Sequence, residues 1–283
     1  MSYRIPILKM TDQLYIVAHK EDTSKLEAAL TDQGFKVRVQ RGPYSAKEKK
    51  YSSAIKCLVN HGNVWRQVAN GDQPAIVVEA DFVPVIKMAE RISPMPFDSS
   101  DQSIGFAWLY SAGTTLYGFD QHGFPHGHGN TTVAYMLTPQ VAAMLLDFFK
   151  REETKFSVGS YSNWETYLGI YLRKERGVLN YIPVYCYGEH GGIPQSEHIK
   201  QGIRAWHQAD ILLDKLEFLP GYANGKRWRY VLFRGRSIIR GWVRLLSLRF
   251  YDPRYINDDS KKDWVEMGWF SFIRLLRLYQ GPK

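Results

Sequence analysis

The segment Pro74-Ala75-Ile76-Val77-Val78-Glu79-Ala80-Asp81-Phe82-Val83 constrains the fold more than any other stretch of the chain. Ala75 to Val78 are apolar on both faces, which is the pattern of a strand buried between helices in a parallel sheet. The run meets two carboxylates at its C-terminal end. Period-two alternation puts Glu79 and Asp81 on one face and turns Ala80 to the other. Two hard oxygen ligands at the carboxyl edge of such a sheet suit a divalent cation, and that edge is where open α/β sheets bind ligands. The alternative is an exposed strand end carrying two solvated acids.

The chain before this segment supplies the rest of a doubly wound unit. Leu14 to Ala18 predicts a strand, Asp22 to Gln33 a helix ended by Gly34, and Phe35 to Val39 a second strand. Lys47 to Ala69 has helical period, with Ala54, Leu58, Val64, Trp65 and Val68 on one stripe. After it, Phe106–Tyr110 and Thr131–Leu137 read as strands, and Gly113 to Gly129 as a long Gly/His loop. Thr138 followed by Pro139 marks a helix start. A further helix is expected from Ser162 to Gly177, then a short strand from Tyr181 to Tyr187 and a polar loop from Glu189 to His198.

With 283 residues, 45% hydrophobic and 23% charged, the chain has material for one large domain or one domain with an appendage. Cys57 and Cys186 form neither a disulfide framework nor a standard metal spacing, which predicts reduced thiols in the cytosol. There is no signal-peptide pattern and no uninterrupted apolar run of membrane-spanning length. The net charge of +9 is unevenly placed. Between Asn224 and Arg254 nine Lys or Arg face one acid, Asp252, so this arm carries +8 and the remainder about +1. Trp228, Val231, Leu232, Ile238, Ile239, Trp242, Leu245 and Leu246 recur there at helical spacing, and Trp269–Tyr279 repeats the pattern. A basic face beside a Trp-bordered aliphatic one is the composition of an interfacial membrane helix, with arginines in water over a packed apolar stripe as the alternative. Residues 1–205 are thus expected to be catalytic and 206–283 a separable basic, helical extension.

Five separated pieces, in order over roughly residues 12–200, resemble glycosyltransferase family 25, the lipopolysaccharide-type β-galactosyltransferase group. They are the strand and helix from Ile16 to Gln33, Cys57-Leu58-Val59-Asn60-His61 with Trp65, and Val77-Val78-Glu79-Ala80-Asp81. Ala134-Tyr135-Met136-Leu137-Thr138 with Ala142 and Leu145, and Glu165-Thr166-Tyr167-Leu168, complete the set. Ala80, Asn60 and Glu165 depart from that family's acid, serine and aspartate.

The resemblance implies a GT-A fold, a Rossmann-like and mostly parallel α/β sheet flanked by helices. It implies inverting transfer from a nucleotide-sugar, usually a UDP-sugar such as UDP-galactose or UDP-glucose, to a saccharide hydroxyl of a lipid-linked glycan. Ala18, His19, His61, Glu79 and Asp81 are then the expected donor-binding positions. Mn²⁺ or Mg²⁺ on the diphosphate would be held by Asp81 and Glu79, with His190 or His198 as a further ligand and His190 preferred. Glu165 is the candidate base for the acceptor hydroxyl, and the competing role is a capping box, Ser162-x-x-Glu165. His122, His126 and His128 match no zinc spacing and are expected in a flexible acceptor-side loop. The expected setting is the cytoplasmic face of an anionic membrane, reached through the 224–254 arm. A nucleic-acid partner is disfavoured by the near-neutral body and the lack of a recognition motif, and a non-catalytic relative is the remaining alternative.

Overall fold

The structure is a computed structural model that describes residues 4–96, 105–113, 115–129, 131–157, 162, 164–192, 208–250 and 264–277. His198 and the 205/206 boundary lie outside them.

Ala75–Glu79 forms β3, with Ala75 to Val78 all buried. It pairs in parallel with β1 (Gln13–Val17), and β1 in parallel with β2 (Lys36–Gln40). The connections are α2 (Ser24–Asp32) and α3 (Ser53–Ala69), which follow a single turn, α1 (Ile7–Met10). The strand continues only to Glu79. A turn at Ala80-Asp81 leads into β4 (Phe82–Pro84), so Asp81 sits on a turn and not on the strand face.

Beyond β3 the sheet grows through β8 (Ala134–Leu137), β5 (Phe106–Trp108), β9 (Asn180–Tyr181), β7 (Pro125–His128) and β6 (Thr115–Phe119), giving the order β2-β1-β3-β8-β5-β9-β7-β6. β8 is antiparallel to both β3 and β5, β9 is parallel to β5, and β7 is antiparallel to β9 and β6. Six of the eight strands therefore run one way, with β8 and β7 reversed. This is the mainly parallel α/β architecture expected.

The predicted loop from Gly113 to Gly129 is instead the β6/β7 hairpin. Gly127 permits it, because the Thr115 carbonyl oxygen fills the space a Cβ would need. Of the predicted strand at 181–187 only Tyr181 is in a strand, β9, and β10 (Gly188–His190) lies beyond it, at the start of the predicted polar loop. β10 pairs antiparallel with β4 in a separate two-stranded sheet, in the register His190↔Phe82.

Helix α4 (Pro139–Glu153) packs beside α3 over one face of the sheet, around Trp65, Trp108, Trp164 and Phe148, all fully buried. α2 and the 82–95 segment cover the other face, against Ile16, Ile76 and Met136. Helix α5 (Trp164–Ile170) runs on through a wide π turn, Tyr171–Glu175, and the chain leaves it at Gly177, whose φ is 68°.

The C-terminal segment is woven into this body. Cys186 N–H donates to Ile211 O, Ile86 N–H to Lys215 O and Glu217 N–H to Pro84 O, at 2.9, 2.9 and 3.0 Å. Helices α6 (Arg227–Leu246) and α7 (Trp264–Leu275) follow. The orientation of α6 is the reverse of an apolar stripe packed on the body with its arginines in water. Arg234 is buried, its guanidinium donating to Glu189 Oε2 at 2.8 Å and to Ala209 O. Arg240 donates to Gln208 O, and Arg244 reaches Gly113 O. The aliphatic residues Val231, Leu232, Ile239 and Leu246 point outward, 61–80% exposed. Among the described residues no helix is long and apolar enough to cross a membrane.

Candidate active site

Four elements deliver the predicted acids and histidines to one edge of the sheet. β3 ends there in Glu79, and the following turn presents Asp81. Because β10 pairs with β4 at His190↔Phe82, the His190 imidazole arrives one residue from that turn, and Nε2 lies 2.9 Å from Asp81 Oδ2. Gly191 N–H donates to Asp81 O at 2.7 Å. Gly192 lies so close that an added Cβ would collide with Asp81 Oδ2, so any larger residue there would displace this pair.

Glu165 comes from the first turn of α5. Its neighbour Trp164 is fully buried, 5.3 Å from the His61 ring and 6.3 Å from Trp65, with Nε1 donating to Ala54 O at 3.2 Å. That anchor fixes the start of α5 on α3. The Thr132 backbone N–H, across the site, favours the ionised form of the Glu165 carboxylate. Burial, then the Glu79 charge, push Glu165 up to about 8 against the pull of His190, with Asp81 adding to the rise. Burial alone would lower His190. The Asp81 carboxylate overrides it, helped by Glu79 and Glu189, and holds the imidazole at about 9, protonated at neutral pH. In this arrangement His190 is the hydrogen-bond donor of Asp81.

His61 is fully buried, ring Nδ1 2.8 Å from Tyr135 Oη, and the same hydroxyl accepts from Trp65 Nε1 at 2.7 Å. His61 Nε2 faces Glu79 Oε1 at 3.5 Å. Thr132 Oγ1 donates to that oxygen at 2.7 Å, and Cys57 Sγ is 3.9 Å from it. Asn60, the position that departs from serine, is structural. It donates to Ala18 O and Tyr44 Oη at 2.8 Å each and accepts from Gly42 N at 3.0 Å, tying the end of β1 to the exit of β2. Ala18 is buried at that joint. His19 lies farther out, edge-on to Tyr44 at 5.3 Å, its pKa lowered by burial and by Lys56.

The other described histidines, His122, His126 and His128, do not join the cluster. His126 sits on β7 with Nδ1 3.2 Å from Arg173 Nη1, held down at about 4 by burial and that charge. His128 packs edge-on against Trp108 at 6.2 Å, and His122 occupies the hairpin turn, its backbone N–H donating to Asp120. Cys57, Thr132, Tyr135 and Glu189 were not among the predicted site residues. For Cys57 the signal was present: Cys57 and His61 are four apart on α3, so they share a face.

No protein-family model matches the chain, and no curated protein matches it. Among solved structures, one similar chain is the crystal structure of a glycosyltransferase involved in the glycosylation of the major capsid of PBCV-1. The likeness is 11% identity at a TM-score of 0.35, covering 61% of this chain and 82% of that one. The functional argument therefore rests on the site.

Proposed function

We propose that the chain is an inverting glycosyltransferase that moves a hexose from a UDP-sugar to a hydroxyl of a lipid-linked saccharide. The observation that carries this reading is Glu165, a carboxyl held near 8 and facing the Glu79 and Asp81–His190 groups at the ligand-binding edge of an α/β sheet. A base with that affinity takes the proton of an acceptor hydroxyl as the oxygen attacks the anomeric carbon. The bond to the diphosphate breaks on the opposite face of the sugar. Asp81 and Glu79 offer the hard oxygens that suit Mn²⁺ or Mg²⁺, whose contribution would be to neutralise the departing diphosphate. Protonated His190 orients Asp81 and adds positive charge at the same edge.

The test is a thermal-shift panel of nucleotide-sugars with and without Mn²⁺, followed by assay of sugar release or transfer. A donor at 100 times its Kd adds about 2.7 kcal/mol to stability. For a chain of this size that is roughly 5–10 °C. Asp81→Ala should abolish the shift, read against the variant's own ligand-free melt, which falls with the loss of the His190 pair. If no nucleotide-sugar moves the melt, and wild type and Asp81→Ala behave alike, the reading fails and the non-catalytic alternative stands.

The membrane-bound acceptor is supported by α6 and α7. Their outward faces expose Leu232, Ile239, Val243 and Leu246 together with Trp228 and Trp269, and Lys226, Arg227, Arg236 and Arg249 are exposed among them. An exposed aliphatic surface bordered by tryptophan and arginine is what an interfacial helix presents to lipid. A nucleic-acid grip is disfavoured, since Arg234, Arg240 and Arg244 are committed to body carbonyls and carboxylates. Burying one Leu or Ile contributes about 1.5–3 kcal/mol. Leu232→Asp with Ile239→Asp should therefore weaken partition onto anionic vesicles by on the order of 10²-fold or more, with the melt unchanged. If the double variant instead turns a dimer into a monomer without altering vesicle binding, the face is a protein interface.

A further inference from the structure

The carboxylate oxygen that Thr132 holds also faces a thiol and an imidazole. Cys57 Sγ, His61 Nε2 and a Glu79 carboxylate oxygen all lie within 4.8 Å of one another. Glu79 Oε1 is 3.5 Å from Nε2 and 3.9 Å from Sγ. Tetrahedral zinc, bound at about 2.1 Å by N or O and about 2.3 Å by S, sets N–O and S–O edges of about 3.4 and 3.6 Å. Octahedral magnesium, bound at about 2.1 Å, sets edges of about 3.0 Å. The two Glu79 edges are thus within a few tenths of an ångström of the first geometry and longer than the second by about half an ångström or more.

A second observation points into the same space. The His61 side chain has no solvent exposure, and its Nε2 has no hydrogen-bond partner among the described residues. The other ring nitrogen explains how that can be used. Tyr135 Oη already accepts from Trp65 Nε1, and it can either donate to His61 Nδ1 or accept from it. In the second state Nδ1 carries the proton and Nε2 turns a lone pair toward Glu79 and Cys57. That is the hydrogen-bonded histidine arrangement that supports a metal ligand from behind, and Thr132 Oγ1 plays the matching part for Glu79.

We propose that Cys57, His61 and Glu79 form a three-ligand site for a zinc-class divalent cation, open at its fourth position. The donor set is softer than the Asp81/Glu79 pair and shares only Glu79 with it, so the ligand chemistry selects Zn²⁺ or Co²⁺ over Mg²⁺. Binding requires the Cys57 thiolate. One proton leaves the sulfur for solvent as the metal–sulfur bond forms, so affinity should rise with pH. Neither Cys57 nor Glu79 is fully enclosed, which leaves a path of entry. The inference does not depend on which group the enzyme transfers.

The test uses the full chain, freed of metal and titrated with Co²⁺ and then Zn²⁺. One equivalent of Co²⁺ should bind and give a thiolate-to-cobalt charge-transfer absorption that Zn²⁺ abolishes, while Mg²⁺ in large excess leaves it unchanged. Cys57→Ser and His61→Gln should each weaken binding by on the order of 10²-fold, and Cys57→Ser should remove the absorption. Asp81→Asn, outside the set, should retain both. If Cys57→Ser melts early, His61→Gln carries the same test, because it keeps the thiol and removes only the nitrogen. Absence of one-equivalent binding, or an absorption that survives in Cys57→Ser, overturns the proposal. Nucleotide-sugar binding, measured separately on wild type, keeps failure here distinct from failure of the transferase reading.

Discussion

Glu165→Gln should reduce turnover on the order of 10²–10⁴-fold while leaving donor affinity within a few-fold of wild type. The amide keeps the size of the side chain and can still accept from Thr132 N–H, but it takes no proton from an acceptor. The pH dependence makes the assignment specific. In the metal-free protein Glu165 loses its proton near 8, so kcat/KM should climb with pH through that value, and the climb should vanish in the variant. Adding a divalent cation to the neighbouring carboxylates favours the ionised form and should move the climb to lower pH.

Stability supplies an independent readout. A carboxyl whose folded pKa is raised binds more protons in the native than in the unfolded state between the two values. It therefore removes stability as pH rises from the ordinary carboxylate range through about 8. Glu165→Gln should consequently raise the melting temperature above pH 8, a trade of stability for function. A capping role predicts the opposite sign, a loss of roughly 1 kcal/mol. A lower melt with activity within a few-fold of wild type would remove Glu165 as the base.

The parts of the fold written in local pattern were legible in the sequence. β1, α2, β2 and β3 fall within about two residues of their predicted positions, and α3 ends at Ala69 as expected but starts at Ser53, six residues after Lys47, because apolar period and the Gly34 stop act locally. The β6/β7 hairpin was not legible, since Gly127 and the histidines around it read as loop composition until Thr115 is known to lie against them. The site divides along the same line. Glu79, Asp81 and Glu165 could be named from strand ends and helix starts. The Asp81–His190 pair depends on β10 finding β4, a contact between residues about a hundred apart. Cys57 was set aside because metal-spacing rules describe ligands close in sequence. Here the third ligand comes from the next strand.

The C-terminal helices are the clearest case of pattern without direction. Period located the amphipathic face of α6, but which side turns inward is decided by the acids waiting on the body. Glu189 is fully buried and receives Arg234 at 2.8 Å, Ala209 N at 2.8 Å and His190 N at 3.1 Å. Burial of a carboxylate at that depth requires a cation, and Arg234, on the basic side of the arm, supplies one.

Arg274→Met should therefore destabilise the protein by about 3–5 kcal/mol, a large share of a total on the order of 5–15. Arg274 donates to both oxygens of Asp210, at 2.7 and 2.8 Å, and Nε donates to Val184 O, with both side chains almost wholly buried. Removing the guanidinium leaves a carboxylate without its partner in the interior, where burial would otherwise push Asp210 up and Arg274 now holds it below the usual range. That lowered pKa fixes the pH sign. The pair's contribution is full above the ordinary carboxylate pKa and is lost as pH falls through the folded value, so the variant should show a flatter acid limb than wild type. At about 2–4 °C per kcal/mol the melt should drop roughly 6–20 °C. Replacing both partners with apolar residues, Asp210→Leu with Arg274→Met, should recover much of the loss, because no charge is then stranded. The damage should also reach the site. Ala209, beside Asp210, donates to Glu189, and Glu189 precedes the His190 that pairs with Asp81. Donor-dependent thermal shift should weaken in Arg274→Met even well below its melting temperature. A melt within about 2 °C of wild type would mean that α7 does not depend on this pair for its place on the body.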